Sequence, residues 1–315
     1  DPRPPYRATS TLFQGCCHYS RFADTDLALH GGQPDNVMGD TPWLPTSRAL
    51  AALLEASGQW LPWLTVTGFL DLRFYDPPLL PPGITRECRA TVEAEPWLMQ
   101  DGVMARMCRN TLDVRQLTPN GRHLERYTPV ATGMTLLAAA HGQVPPMWAH
   151  GEDAPTGSIQ HTVNTDIFYN AMGFGHPWRM LRDFTALPNH KYAARVDHCH
   201  TAIAPDGNKG YTDILNVVEG MVQSAWLAIA RGTGKAEMDA GAVADAMGRW
   251  RLHAAGFIRF VSERGKGPWH IMLRRSWSDP ALLRFDGQAA DEKGRIFLTI
   301  HHLEFNRRDT GAAAL

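Results

Sequence analysis

Apolar residues recur at helical spacing in two segments of the chain, and strand-like segments follow each of them. The first predicted helix begins after Pro45, where Thr46 or Ser47 can cap it, and ends at Gly58. Its apolar face carries three leucines: Leu50, Leu53 and Leu54. Residues 64–74 then alternate like a strand, so that Leu70, Leu72 and Phe74 share one face. Residues 86–95 and 103–114 are two further predicted strands.

The second half repeats this order of elements. Residues 191–202 predict a strand, and residues 213–231 predict a largely apolar helix. Three more strand-like segments follow, at 250–262, 269–277 and 296–305. Between the halves, residues 116–157 carry Pro, Gly and His without sustained periodicity. This region is interpreted as a linker with one short helix at 134–140.

The repeated order predicts an α+β fold in which each of two long helices is wrapped by an antiparallel sheet. That arrangement is the hot dog, and two copies in one chain predict a double hot-dog with the two sheets running together. The expected boundaries are an N-terminal hot dog at residues 1–130, a linker at 131–157, and a C-terminal hot dog at 158–315.

Composition narrows the classes of protein. The 315 residues are 44 % apolar with a net charge of -1 and no basic block, which argues against a nucleic-acid partner. No apolar run reaches the roughly 18 residues of a membrane helix, and the proline-rich N-terminus is typical of a linker. Five cysteines at irregular spacing indicate a reducing compartment, so we expect a cytoplasmic protein.

The segment before the first helix resembles a motif of polyketide and fatty acid synthase dehydratase domains. Residues 35–45 are similar to the family pattern Asp-His-x-x-x-Gly-x-x-x-x-Pro. Asp35 and Pro45 match that pattern, whereas Asp40 replaces the glycine. Asn36 stands where the family has its catalytic histidine.

Two segments of the second half resemble the same family. Residues 174–181 are similar to Tyr-Gly-Pro-x-Phe-x-x-Leu, with matches at Gly175 and Leu181, an aromatic exchange at Trp178, and departures at Phe174 and His176. Residues 219–223 are similar to Asp-x-x-x-Gln on the second helix. Gln223 matches, and Glu219 takes the place of the catalytic aspartate.

The resemblance implies a reaction on a 3-hydroxyacyl thioester. A base removes the proton from C2, and an acid protonates the hydroxyl that leaves C3. In the family the histidine comes from the first hot dog and the acid from the second, so the site forms where the halves meet. The substrate would arrive on the phosphopantetheine of an acyl carrier protein, without a further cofactor. Neighbouring synthase domains are the other expected partners, and the domain is expected to be a monomer or homodimer.

Asn36 complicates this interpretation, because an amide is neither an acid nor a base near neutral pH. Three explanations remain open. The histidine was exchanged deliberately to trap a substrate, or His30 reaches the same place, or the domain no longer dehydrates. In the last case it would isomerise a double bond, close a ring, support a branching addition, or only bind an acyl chain. A silent scaffold domain and a hot-dog thioesterase are the alternatives.

The candidate residues follow from these motifs. The catalytic candidates are Asn36, Glu219, Gln223 and His30. The candidates for substrate binding are Asp35, Pro45, Tyr169, Phe174, Gly175, His176 and Trp178. His198 and His200 share one face of a predicted strand, but no third ligand accompanies them, so no metal site is expected.

Overall fold

A computed structural model describes most of the helices and strands of the chain. The described residues are 15–18, 37–38, 41–42, 46–60, 63–75, 85–100, 103–117, 126–139, 144, 146–148, 161–172, 179–197, 211–232, 239–261 and 267–308. Within them, no helix combines the length and the apolarity that crossing a membrane requires.

Twelve strands form a single antiparallel sheet in the described part of the chain. The first half contributes β1 (Gly15–His18), β4 (Thr65–Phe74), β5 (Thr85–Gln100), β6 (Val103–Leu117) and β7 (Thr128–Ala138), while β2 (Val37–Met38) pairs separately with β3 (Thr41–Pro42). The second half contributes β8 (His161–Val163), β9 (Leu181–Leu187), β10 (Lys191–Val196), β11 (Trp250–Phe260), β12 (Trp269–Ser278), β13 (Leu282–Ala290) and β14 (Ile296–Arg307). The strand order is β1-β5-β6-β7-β4-β11-β14-β13-β12-β10-β9-β8.

Four described helices accompany this sheet: α1 (Thr46–Trp60), α2 (Thr165–Met172), α3 (Thr212–Arg231) and α4 (Ala240–Arg249). The two longer ones each lie against their own half. α1 contacts β4 to β7, α3 contacts β9, β10, β12 and β13, and the two helices contact each other. Every residue of α3 except Asp213 and Arg231 is buried, which explains its almost continuous apolar sequence.

The two halves join through β4 and β11, which pair in antiparallel fashion with Phe69 opposite Ile258. Gly68 makes this pairing possible, because a Cβ atom there would come within 2.5 Å of the carbonyl oxygen of Ile258. The sheets of the two halves therefore form one continuous sheet, and the N-terminal end of α1 is brought against α3.

Both long helices predicted from the sequence are confirmed, although α1 continues past Gly58 to Trp60. The helix predicted at 134–140 is wrong, because residues 134–138 belong to β7, which pairs with β6 on one side and with β4 on the other. β7 also occupies the first eight residues of the predicted linker at 131–157. The sequence pattern also missed α2, α4, β9, β13 and the four shortest strands, β1, β2, β3 and β8. The proposed domain boundaries stay a prediction.

Candidate functional site

A buried carboxyl group lies where α1 meets α3. Glu219 is in the second turn of α3 and is only 3 % exposed. Its Oε2 atom accepts a hydrogen bond of 3.1 Å from the backbone N–H of Ser47, which lies in the first turn of α1. This contact joins residues 172 positions apart in the chain. It places an acidic side chain of the second half directly on a helix N-terminus of the first half.

Burial sets the protonation of this group. Loss of solvent raises the pKa of Glu219 above its ordinary value of 4.5. Hydrogen bonds from the Ser47 backbone and from Gln223 oppose that rise, because they stabilise the carboxylate. The N-terminal end of α1 favours the charged form as well, since its free N–H groups carry partial positive charge. Glu219 is thus a carboxyl group that keeps its proton to a higher pH than an exposed glutamate does, which suits it to proton transfer.

Gln223 and Tyr169 hold this carboxyl group in place. Gln223 lies one turn after Glu219 on α3, and its Oε1 atom accepts a 3.0 Å hydrogen bond from the buried hydroxyl of Tyr169 on α2. The same hydroxyl accepts a 2.6 Å hydrogen bond from the backbone N–H of Leu181. With its oxygen engaged, Gln223 has its amide N–H groups left to donate to Glu219.

α3 approaches the sheet closely beside Glu219. Gly220 leaves no room for a side chain, because a Cβ atom there would lie 2.6 Å from Cγ2 of Val196 and 3.2 Å from Cδ1 of Ile271. The absence of a side chain lets the helix pack against β10 and β12. The position of the helix, and with it the position of the Glu219 carboxyl group, therefore depends on this glycine.

A third polar residue of α3 was missed by the sequence reasoning. Asn216 lies three residues before Glu219 and seven before Gln223, so the three share one face of the helix. Asn216 is 0 % exposed, and neither its Nδ2 nor its Oδ1 atom has a hydrogen-bond partner among the described residues. The helical spacing of polar residues within a buried, apolar helix is a signal that could have identified it.

The structure brings together those predicted site residues that it describes, namely Glu219, Gln223 and Tyr169. The other candidates lie outside the described residues, so their placement stays a prediction: His30, Asp35, Asn36, Pro45, Phe174, Gly175, His176 and Trp178. Ser47 follows Pro45 by two positions, and Leu181 follows Trp178 by three. Both of these described neighbours contact the site.

The described residues contain no group of three or more His, Cys, Asp or Glu side chains that could hold a metal ion. His198 and His200, the pair weighed from the sequence, lie outside this part of the chain. The expectation that the protein uses no metal stays a prediction.

The chain combines a continuous antiparallel sheet, two long helices, and a buried carboxyl group where those helices meet. No family model and no curated protein matches the sequence, but solved structures match the fold. A dehydratase domain of a trans-AT polyketide synthase from Brevibacillus brevis is 11 % identical with a TM-score of 0.63, over 87 % of this chain and 89 % of that one. A bifunctional dehydratase-cyclase domain from ambruticin biosynthesis is 16 % identical with a TM-score of 0.58, over 90 % and 89 %.

A third similar structure is a trans-acyltransferase polyketide synthase enoyl-isomerase, 13 % identical with a TM-score of 0.53, over 88 % of this chain and 96 % of that one. The resemblance to polyketide synthase dehydratase domains is thereby confirmed at the level of the fold. The chain has the fold of these domains over nearly its whole length.

Proposed function

We propose that this chain is a dehydratase-like domain of a polyketide synthase, built from two hot dogs and acting on acyl thioesters attached to a carrier protein. The observation that carries the proposal is the buried carboxyl group of Glu219 at the junction of α1 and α3. A carboxyl group with a raised pKa, held at a helix N-terminus in this fold, is suited to proton transfer.

In the proposed reaction, Glu219 begins protonated and gives its proton to the hydroxyl on C3 of the substrate. The C3–O bond breaks, water leaves, and a base takes the proton from C2, whose electron pair forms the C2–C3 double bond. Glu219 is left as a carboxylate, which the Ser47 N–H and the Gln223 amide stabilise. The proton taken by the base then returns to Glu219 before the next turnover.

The base is assigned to His30, because the amide of Asn36 cannot accept a proton near neutral pH. Asn36 would then hydrogen-bond the thioester carbonyl. The same acid could serve a double-bond shift or a ring closure, since both reactions also need a proton delivered to the acyl chain. The substrate would arrive on the phosphopantetheine arm of an acyl carrier protein, with neighbouring synthase domains as further partners.

The test is turnover of 3-hydroxyacyl thioesters, offered on a carrier protein and as pantetheine thioesters, with products followed by mass spectrometry. We expect the wild-type protein to remove water from the substrate. The variant Glu219→Gln should show a kcat that is lower by roughly 10²–10⁴-fold. Glu304→Gln is the matched control, because that carboxylate pairs with Arg284 at 2.7 Å on the sheet of the same half. A wild-type protein that neither dehydrates, hydrates the enoyl form nor isomerises it contradicts the proposal.

Asn36 favours a second candidate, an acyl-binding domain without turnover. It predicts that the wild-type protein binds a non-reacting 3-hydroxyacyl pantetheine amide but converts no thioester. Restoring the family residue with Asn36→His would then produce measurable dehydration, because a base would again stand at the motif position. Dehydration by the wild-type protein that Glu219→Gln abolishes excludes this candidate.

A further inference from the structure

We propose that Asn216 contacts the substrate and binds a second oxygen of the acyl chain, so that the preferred substrate is an oxygenated 3-hydroxyacyl thioester and not a plain fatty acyl one. The second oxygen would be a hydroxyl or carbonyl group a few bonds away from C3. This inference rests on the proposed function, which supplies the acyl thioester.

The Asn216 side chain is 0 % exposed, and neither of its polar atoms has a hydrogen-bond partner among the described residues. Asn110, equally buried at 1 %, shows what a structural asparagine does here. Its Oδ1 atom accepts from Ser57, and its Nδ2 atom donates to Thr135 and to the carbonyl oxygen of Cys108. A buried amide without such bonds is costly, which indicates that Asn216 has a role other than stability.

Asn216 lies close to Glu219 on the same helix. Asn216 precedes Glu219 by three residues on α3, a spacing that puts the two Cβ atoms roughly 5–6 Å apart on one face. Gly220, also close to that face, packs against Val196 and Ile271 of the sheet. Asn216 therefore lies about one helical turn before the carboxyl group, close to the face of α3 that packs against the sheet at Gly220. A chain whose C3 hydroxyl reaches Glu219 passes within reach of the amide.

The Asn216 amide is chemically complementary to an oxygen-bearing acyl chain. A carboxamide offers both an N–H donor and an oxygen acceptor. A hydroxyl group on the chain satisfies both at once, and a carbonyl group satisfies the donor. A plain alkyl chain satisfies neither, so its binding leaves both amide atoms unpaired. Sites built to bond a substrate hydroxyl discriminate strongly against analogues that lack it, for the same reason.

The experiment compares two pantetheine thioesters of equal chain length, one 3,5-dihydroxyacyl and one 3-hydroxyacyl. We expect the wild-type protein to favour the dihydroxy substrate by roughly tenfold or more in kcat/KM, mainly through KM. Asn216→Leu keeps the branching and the number of heavy atoms but removes both polar atoms, so the preference should disappear or reverse. A variant that retains the wild-type preference overturns the inference.

A second measurement detects a merely structural amide. Asn216→Leu should leave the thermal unfolding midpoint unchanged or raise it, because no protein hydrogen bond is lost. A fall as large as that of the matched variant Asn110→Leu would show that the protein itself satisfies the Asn216 amide, and would overturn the inference.

Binding separates this inference from the proposed function. Calorimetry measures the binding affinity without any turnover. It uses the corresponding amide analogues, whose acyl chain cannot leave the pantetheine arm. Tighter binding of the dihydroxy analogue by the wild-type protein, lost in Asn216→Leu, supports the inference even if no substrate is dehydrated. Equal affinity of the wild-type protein for both analogues overturns it, even if dehydration proceeds.

Discussion

Two buried polar clusters of this molecule differ in how completely their hydrogen bonds are made. The first-half cluster consists of Ser57 on α1, Asn110 on β6 and Thr135 on β7. Ser57 donates to Asn110 at 3.0 Å, and Asn110 donates to Thr135 at 3.0 Å. The 2.7 Å contact between the two hydroxyl groups, donated by Thr135, then closes a ring. Each member both gives and receives a hydrogen bond.

The second cluster, on α3, consists of Asn216, Glu219 and Gln223. It is as deeply buried, but its members do not satisfy each other in a ring. Glu219 bonds the N-terminus of the opposite helix, Gln223 bonds Tyr169, and Asn216 has no partner among the described residues. It also contains a titratable group, whereas the buried thiol of Cys108, the residue whose carbonyl oxygen bonds Asn110, has a pKa raised by burial to about 12 and stays protonated.

The two clusters show how structural and functional polar side chains differ within one protein core. A closed ring of neutral groups rigidifies the packing and leaves nothing for a ligand. An open cluster with a carboxyl group of raised pKa keeps hydrogen-bonding capacity that is available to another molecule. On this reasoning, mutations in the first cluster should affect stability, and mutations in the second should affect the reaction.

The largest expected effect on stability is that of Asn110→Leu. It removes the hydrogen bonds to Ser57, Thr135 and the Cys108 carbonyl, leaving buried polar atoms unpaired. We expect a loss of roughly 1–3 kcal/mol in the free energy of unfolding, measured by denaturant titration. Turnover per folded molecule should not change. A stable variant with impaired turnover would reverse the roles assigned to the two clusters.

The dependence of stability on pH sharpens the comparison, since only the second cluster titrates. Because burial raises the pKa of Glu219 in the folded state, this group stabilises the fold fully below pH 4.5, and that contribution is lost as the pH rises through the folded-state pKa. For one proton the slope is at most about 1.4 kcal/mol per pH unit.

The measurement compares denaturant unfolding of the wild-type protein and Glu219→Gln from pH 4.5 upward. The glutamine variant should gain stability relative to the wild type as the pH rises, because it has no charge to bury. Asn110→Leu is the control, and its difference from the wild type should not vary with pH. If the difference in unfolding free energy between the wild-type protein and Glu219→Gln does not vary with pH, Glu219 is not protonated more readily in the folded protein than in the unfolded one.

The smallest expected effect is that of Tyr169→Phe. It removes one hydroxyl that donates to Gln223 and accepts from Leu181, and costs about 1 kcal/mol in unfolding free energy. Because Gln223 then loses the hydrogen bond from Tyr169 that holds it in place, kcat should fall while KM changes little. Tyr192→Phe, on β10 and stacked on Phe184, is the control that should leave kcat unchanged. If the kcat of Tyr169→Phe equals that of the wild-type protein, Gln223 does not depend on the Tyr169 hydroxyl for its position.

The two long helices were predictable because burial dictates their sequence locally. α3 is buried on nearly all sides, so it needs an almost unbroken apolar segment, and α1 shows three leucines on one face. β7 was not predictable in this way. It contains Pro129 and Gly133, and it lies between β6 and β4, so pairing on both sides decides its conformation.

The residues of the candidate site also divide into those that the sequence predicted and those that it did not. Glu219 and Gln223 stood out in the sequence, because they are polar residues at one-turn spacing in an apolar helix and resemble a known motif. Ser47 looked only like a capping residue, and Asn216 was not noticed. Their roles depend on the contact of α1 with α3, which joins residues 172 positions apart.

The sequence alone predicted the two long helices, the polar residues of α3, and the order of elements that the two halves repeat. Periodicity carries this information because each element buries one face, whichever neighbour covers it. The tertiary structure was needed to show that β4 and β11 join the halves, and that the Glu219 carboxyl group accepts a hydrogen bond from the first turn of α1. Desolvation and hydrogen bonding depend on distances between residues remote in the chain, and no local pattern records them.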